Sequence, residues 1–279
     1  MTSLIFEPAT EARPPPLATA SPQDRNYISF SAIRSYQTCP LQYFFRYVAG
    51  LPKETVSASL VFGSAIHNAV EHHLRRLLEG QPAPPVEELM ARYREGWQDQ
   101  SAPVRFSKDE GTGTLDGLAE RMLRTFAAND LARPSGHILG VEETLRGSII
   151  PGLPDVLGRI DLIVETPDEL VISDWKTSRA RYSQDQVEDS TEQLLLYAEL
   201  AKDFAPRKKI RLEFAVLTKT KEIQVERYSA APDPLRIDRT KRVVERVWKA
   251  IEGEVFYPAP STMNCSGCPY RDPCRKWPG

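Results

Sequence analysis

The chain has 279 residues, with 36 Lys+Arg against 38 Asp+Glu, a formal net charge of −2 and 41% hydrophobic residues. This composition lets a globular protein bury a sizeable core, and it excludes collagen-like, wholly disordered and uniformly basic chains. No apolar run approaches the roughly 18–20 residues of a membrane span and no export signal opens the sequence. A cytoplasmic setting with no membrane partner is therefore expected, and there four cysteines favour ligation over disulfides.

Residues 1–25, with prolines at 8, 14, 15, 16 and 22, read as a disordered tail, and 26–279 as one domain. Ser29 or Ser31 can cap a short helix that must stop at Cys39, because Pro40 forces the residue before it to be extended. Pro40 suits the first position of a second helix that buries Leu41, Phe44, Phe45 and Val48. A third helix is expected over 61–79, with Phe62, Ile66, Ala69, Val70 and Leu74 on its apolar stripe. A helical insert over 81–133 follows, with helices near 86–100 and 115–133. After Pro134 the pattern changes to strands at 137–146, 156–165, 170–177 and 210–218, with a helix near 190–204 between the last two. A final helix, 235–252, precedes a cysteine-rich segment, 253–279. The expected class is α/β (α+β), a mixed central sheet flanked by helices.

Residues 156–178 carry the most chemistry. Two strands flank Thr166-Pro167-Asp168-Glu169, and a turn centred between 167 and 168 pairs residues whose numbers sum to 335. Asp161 then faces Asp174, with Cβ atoms roughly 4.5–5.5 Å apart. Strand alternation puts Lys176 on the same face as Asp174. Two facing carboxylates repel, and one must bind its proton more tightly unless a cation lies between them. Oxygen donors suit Mg²⁺ or Mn²⁺, and a nearby lysine can orient water or stabilise charge on a phosphate.

These motifs resemble the PD-(D/E)xK nucleases, specifically the RecB-like branch with an iron–sulfur cluster. The matching residues are Gly63-Ser-Ala-Ile-His67, Gly158-Arg-Ile-Asp161, Asp174-Trp-Lys176, Gln193-Leu-Leu-Leu-Tyr197 and four cysteines, Cys39, Cys265, Cys268 and Cys274. They run from about Ser29 to Cys274; the family's name-giving proline has no counterpart before Asp161. The resemblance implies a restriction-endonuclease-like core in which His67, Asp161 and Asp174 bind the metal and Lys176 is catalytic. It also implies that Gln193 and Tyr197, one helical turn apart, face the site. The family carries an acidic residue on the preceding strand, and of Glu142 and Glu143 the Gly-Val-Glu context favours Glu142. His72, His73 and His137 match nothing and read as surface residues.

The Cys265-x2-Cys268-x5-Cys274 spacing is that of metal ligands, in a stretch with little apolar core of its own, and Cys39 is the one thiol left to complete four. Spacing alone suits a four-thiolate zinc or a [4Fe–4S] cluster. The resemblance implies [4Fe–4S], joining both ends of the domain in a structural role.

Residues 206–249 hold 13 Lys/Arg and six Asp/Glu, so Arg207, Lys208, Lys209, Lys219, Lys221, Arg239, Lys241 and Arg242 are candidate phosphate contacts. Tyr36, Tyr43 and Tyr47 are candidates to stack on bases or to pack around the cysteines. The expected function is a metal-dependent DNA exonuclease acting on single strands or DNA ends in repair or recombination, with any unwinding supplied by a separate helicase subunit. The alternatives are a CRISPR-associated RecB-like nuclease that trims spacers and a non-catalytic iron–sulfur DNA-binding module.

Overall fold

The computed structural model of the chain describes residues 26–278 apart from 99, 109 and 203–205; the tail expected over 1–25 lies outside the described residues. β1 (Tyr27–Ser29) runs directly into α1 (Phe30–Thr38), whose first turn is capped by the Ser29 hydroxyl. Pro40 holds Cys39 extended, at φ −163° and ψ 109°, and then opens α2 (Pro40–Tyr43). A π-helical turn, Phe44–Val48, follows. The short β2 (Val56–Ser57) leads into α3 (Ala58–Leu78), with Ser57 as its cap.

The insert consists of α4 (Val86–Gln98), β3 (Val104–Arg105), which pairs with β2, and α5 (Thr112–Ala128). The main sheet is built from β4 (His137–Gly147), β5 (Asp155–Glu165), β6 (Glu169–Ser178), β7 (Lys209–Thr218) and β8 (Val225–Ala230), together with β1. Between β6 and β7 lies α6 (Gln184–Ala201), and α7 (Pro234–Glu252) follows β8. The C-terminal segment carries α8 (Thr262–Ser266) and α9 (Arg271–Arg275).

The strand order is β1-β5-β6-β7-β8, with β4 along the other edge of β5. β6 and β7 are parallel, which their helical crossover α6 permits, while β4–β5, β5–β6 and β7–β8 are antiparallel. The chain therefore forms the mixed, helix-flanked α/β sheet that its pattern implies. On one face Phe62, Ile66, Tyr93 and Phe126 from α3–α5 pack on Val141, Leu162, Val171 and Trp175. On the other, Leu194 and Leu195 of α6 cover Ile163, Ile172 and Phe214. A third core joins α1, α2 and α7 to the C-terminal segment.

Several elements depart from expectation. α6 starts at Gln184 rather than near 190, because Ser183 and Gln186 form a reciprocal capping box ahead of a polar first turn. The residue pattern does not signal β8 or β1: β8 has only half-buried and exposed residues and lacks a continuous apolar run. His73 is buried rather than exposed, its Nε2 2.8 Å from the Ala132 carbonyl and its ring edge-on to Phe126. The cysteine-rich segment does have an apolar core: Tyr270 is buried against Phe45, and Trp277 packs on Phe44 at 5.0 Å between ring centroids.

Candidate active site

β5 has a continuous partner, β4, on one edge only. On the other edge β1 pairs with Asp155–Leu157 and β6 with Leu162–Glu165, which leaves 158–161 between them without a ladder. Each β5–β6 pair from Leu162↔Ser173 to Glu165↔Leu170 has numbers summing to 335, as the turn predicts, but the ladder ends at Leu162↔Ser173. Beyond it the strands part, and Asp161 Oδ2 accepts a hydrogen bond from the Trp175 amide at 2.7 Å. Asp161 is thus anchored to β6 by its side chain, at the point where backbone pairing stops.

Gly158 lines the same opening. A Cβ there would lie 2.6 Å from the Tyr197 ring and 3.0 Å from Leu200, so only glycine lets α6 settle against β5. Tyr197 is buried, and its hydroxyl accepts from Gln193 Nε2 at 2.6 Å. Burial first, and then the Asp174 and Asp161 charges, push the Tyr197 hydroxyl up to about 12, so it stays protonated.

α3 supplies His67, whose Nδ1 lies 3.7 Å from Asp161 Oδ2. Glu142 comes from β4, between the pairs Val141↔Leu162 and Glu143↔Ile160, which places it across from Asp161. Its backbone has φ of 52°, a left-handed conformation uncommon for a non-glycine residue. His67, Glu142 and Asp161 each offer a ligand atom, and these atoms lie within 4.8 Å of one another. Asp174 stands just outside this trio, its Oδ2 2.7 Å from Lys176 Nζ.

The electrostatics follow from this crowding. Burial, reinforced by the Asp174 and Glu142 carboxylates, raises Asp161 well above the ordinary carboxylate range; the Trp175 amide offsets only part of this. Burial also raises Glu142, against the opposing charge of Arg159, with which it is ion-paired. Burial lowers His67, favouring the neutral imidazole that can ligate a metal. For Lys176 burial works against the charge, but the Asp174 and Asp161 carboxylates together outweigh it and the amine is raised. A cavity of about 650 Å³ opens over these groups, lined also by Glu71, Arg159 and Lys219.

Those last three residues carry no role in the motif reading. Glu71 follows His67 by four positions on α3, a spacing that shares a helix face, and lies 3.9 Å from Arg159. Arg159 sits inside the Gly158–Asp161 motif.

The basic residues of 206–249 separate in space. Lys209 pairs across from Glu169 at the hairpin-turn end of the sheet, whereas Thr218 pairs across from Ser178 at the site end. Lys208 is 2.8 Å from Glu165, and Lys241 is ion-paired with Glu199 of α6. Lys219, directly after β7, is the member that lines the cavity. Tyr36 and Tyr43 are buried, packed against each other and Phe256 rather than presented to a base.

At the other end of the molecule, Cys39 between α1 and α2 accepts a 3.5 Å contact from the Ala259 amide. Cys39, Cys268 and Cys274 share one hydrophobic cluster with Phe44, Phe256 and Trp277. Burial, followed by the charge of the other cysteines, pushes the Cys268 and Cys274 thiols up. Cys265 acts on both through its charge, so the four thiols share one region of the fold, but among the described residues no three of their sulfurs lie within 4.8 Å of one another as the cleft trio does.

The model of the PD-(D/E)XK nuclease superfamily matches residues 27–275. A crystal structure of a candidate exonuclease from Eubacterium rectale is similar, with a TM-score of 0.57 at 13% identity, covering 91% of this chain and 89% of that one. The structure of SSO0001 is 14% identical over 86% of this chain and 92% of that one, at a TM-score of 0.34. No curated protein sequence matches. Among the described residues no helix is long and apolar enough to cross a membrane.

Proposed function

The chain belongs to the PD-(D/E)XK nuclease superfamily, and we propose that it is a divalent-metal-dependent DNA exonuclease of the RecB-like branch, acting on single strands or DNA ends. The observation that carries this reading is the convergence of His67, Glu142 and Asp161 beside the Asp174–Lys176 pair. Two carboxylates and one neutral imidazole fit Mg²⁺ or Mn²⁺, and burial together with carboxylate crowding raises Asp161 and Glu142, a cost that a bound cation would offset. Held by these residues, such an ion supplies Lewis-acid polarisation of a phosphodiester and acidifies an attacking water.

The chain's own groups do the rest. Asp174 fixes the Lys176 ammonium at 2.7 Å, so that it can hold the attacking water by a hydrogen bond and face the charge that builds on the phosphate. Gln193 fixes the Tyr197 hydroxyl, which remains a donor at neutral pH and lies where Asp161 and Asp174 act on it. Arg159, ion-paired with Glu142, holds that carboxylate toward His67 and Asp161.

The same reading makes residues 26–279 one nuclease domain and assigns the four cysteines to a structural [4Fe–4S] cluster. Four thiols without another soft donor suit a thiolate-ligated centre, and the cost of charging Cys268 and Cys274 is one that a bound metal offsets. Brown colour with broad visible absorbance separates this cluster from a zinc centre.

The test is digestion of end-labelled single- and double-stranded DNA with Mg²⁺ or Mn²⁺. Progressive shortening of single strands, abolished by Asp174→Asn and by Lys176→Ala, supports the reading; full activity in either variant contradicts it.

A further inference from the structure

The cavity over the catalytic groups continues beyond them. Ser59 and Lys219 line both that cavity and a neighbouring one of about 430 Å³, whose walls include Phe62, Lys108, Leu118 and Arg179. The two form one groove, from His67 and Lys176 across the first turns of α3 to the insert. Its middle is fixed by the Lys219 amide, which donates to the Ser178 carbonyl at 2.6 Å and holds the ends of β6 and β7 together.

Lys219 Nζ stands 4.5 Å from the centroid of the Phe62 ring, a cation on an aromatic face. Burial first, and then the charge of Arg179, bring the Lys219 amine down to about 8; Glu110 pulls weakly the other way. Among the described residues neither Lys219 nor Arg179 forms an ion pair, whereas Lys208, Arg211, Lys241 and Lys249 each have a carboxylate partner. The partly buried Lys219 ammonium and the exposed Arg179 guanidinium repel, and an anion between them removes that cost. This mirrors the crowded carboxylates at the other end of the groove. In a nuclease the anion expected beside the scissile phosphate is the next phosphate of the strand.

We infer that Lys219 and Arg179 hold a phosphate of the substrate strand adjacent to the one that is cut, so that the strand runs over the first turns of α3 toward Leu115 and Leu118. This rests on the nuclease reading and adds a path to it. The helical insert thereby acquires a role, as one wall of the strand's groove.

The test uses the full chain carrying Asp174→Asn, without divalent metal, and a fluorescein-labelled oligothymidylate whose anisotropy is followed across a series of salt concentrations. Lys219→Met keeps the aliphatic stem over Phe62 and removes the charge; Arg179→Ala alters an exposed side chain. Each is expected to weaken binding about three- to tenfold and to flatten the log–log salt slope by about 0.7, the value for one lost single-strand phosphate contact. Lys209→Ala, at the far end of the sheet, should change neither. If Lys219→Met and Arg179→Ala leave affinity and slope at the parent's values while the parent binds, the path is wrong and the nuclease reading stands. If the parent binds no DNA and the unsubstituted chain cuts none, both fail together. An altered melting temperature in Lys219→Met would leave Arg179→Ala to decide, since that side chain is exposed.

Discussion

The acidic cleft and the cysteine corner each gather ligand-type side chains from distant parts of the sequence, and they do so at different cost. In the cleft, α3, β4 and β5 bring His67, Glu142 and Asp161 within 4.8 Å, under an open cavity of about 650 Å³. Its carboxylates are desolvated and face one another, and one of them sits on a left-handed backbone. The corner places Cys39, Cys268 and Cys274 among Phe44, Phe256, Tyr270 and Trp277, and ties the two ends of the domain through Leu41 N–H to Tyr257 O at 3.0 Å and Tyr36 Oη–H to Val255 O at 2.6 Å. Electrostatic strain beside an open cavity suits a centre that exchanges ligands; thiols wrapped in aromatic packing suit one that keeps them. On the proposed reading, emptying the first should cost activity and spare the fold, and emptying the second should cost the fold.

The largest expected effect tests the cleft. Lys176→Ala or Asp174→Asn should lower the cleavage rate about a thousandfold or more, with a melting temperature within a few degrees of the parent. Parallel loss of activity and folding would erase the contrast. Next, Cys268→Ser should remove the visible absorbance of the proposed cluster and lower the melting temperature by about 10 °C or more, because ligand binding at such a centre is folding energy. Cleavage should then fall only as far as the folded fraction does. A variant that stays folded but inactive would place the corner in the chemistry.

Gly158→Ala links strand geometry to the site. A methyl group 2.6 Å from the Tyr197 ring must displace α6 or β5, which should cost about 1–3 kcal/mol in a denaturant titration and slow cleavage by moving Tyr197. The smallest effect concerns pH. A buried carboxyl whose pKa is raised favours the folded state while it is protonated and loses that advantage as pH rises from the ordinary carboxylate range through its raised value. Metal-free Asp161→Asn should therefore melt a few degrees above the parent at pH 7, and the difference should vanish near pH 4. Equal melting at both pH values would mean that Asp161 is not strained.

The chain pattern carries much of this site. Proline and serine placement sets the ends of α1 and α2, and the turn at 167–168 sets the β5–β6 register correctly. It does not reveal that the ladder stops before Asp161, because that depends on β1 occupying the other part of the same edge. The side-chain anchor from Asp161 to Trp175 is a tertiary consequence of the gap. Glu142 can be chosen from its neighbours, but not its left-handed backbone. The excess of basic residues over 206–249 is visible as a count, yet a count cannot separate Lys208 at one end of the sheet from Lys219 at the other. The same holds for the cysteine-rich segment, whose apolar core is assembled from the π-helical turn at Phe44–Val48 and the segment's scattered aromatics.

The central claim, that crowded carboxylates make the cleft a metal site, is tested most directly by titrating Mn²⁺ into metal-free protein calorimetrically in buffers of different ionisation enthalpy. Binding of one ion with net proton release, tightening as pH rises and absent in Asp161→Asn, is the predicted result. Unchanged binding in Asp161→Asn, or binding that releases no proton, would contradict it.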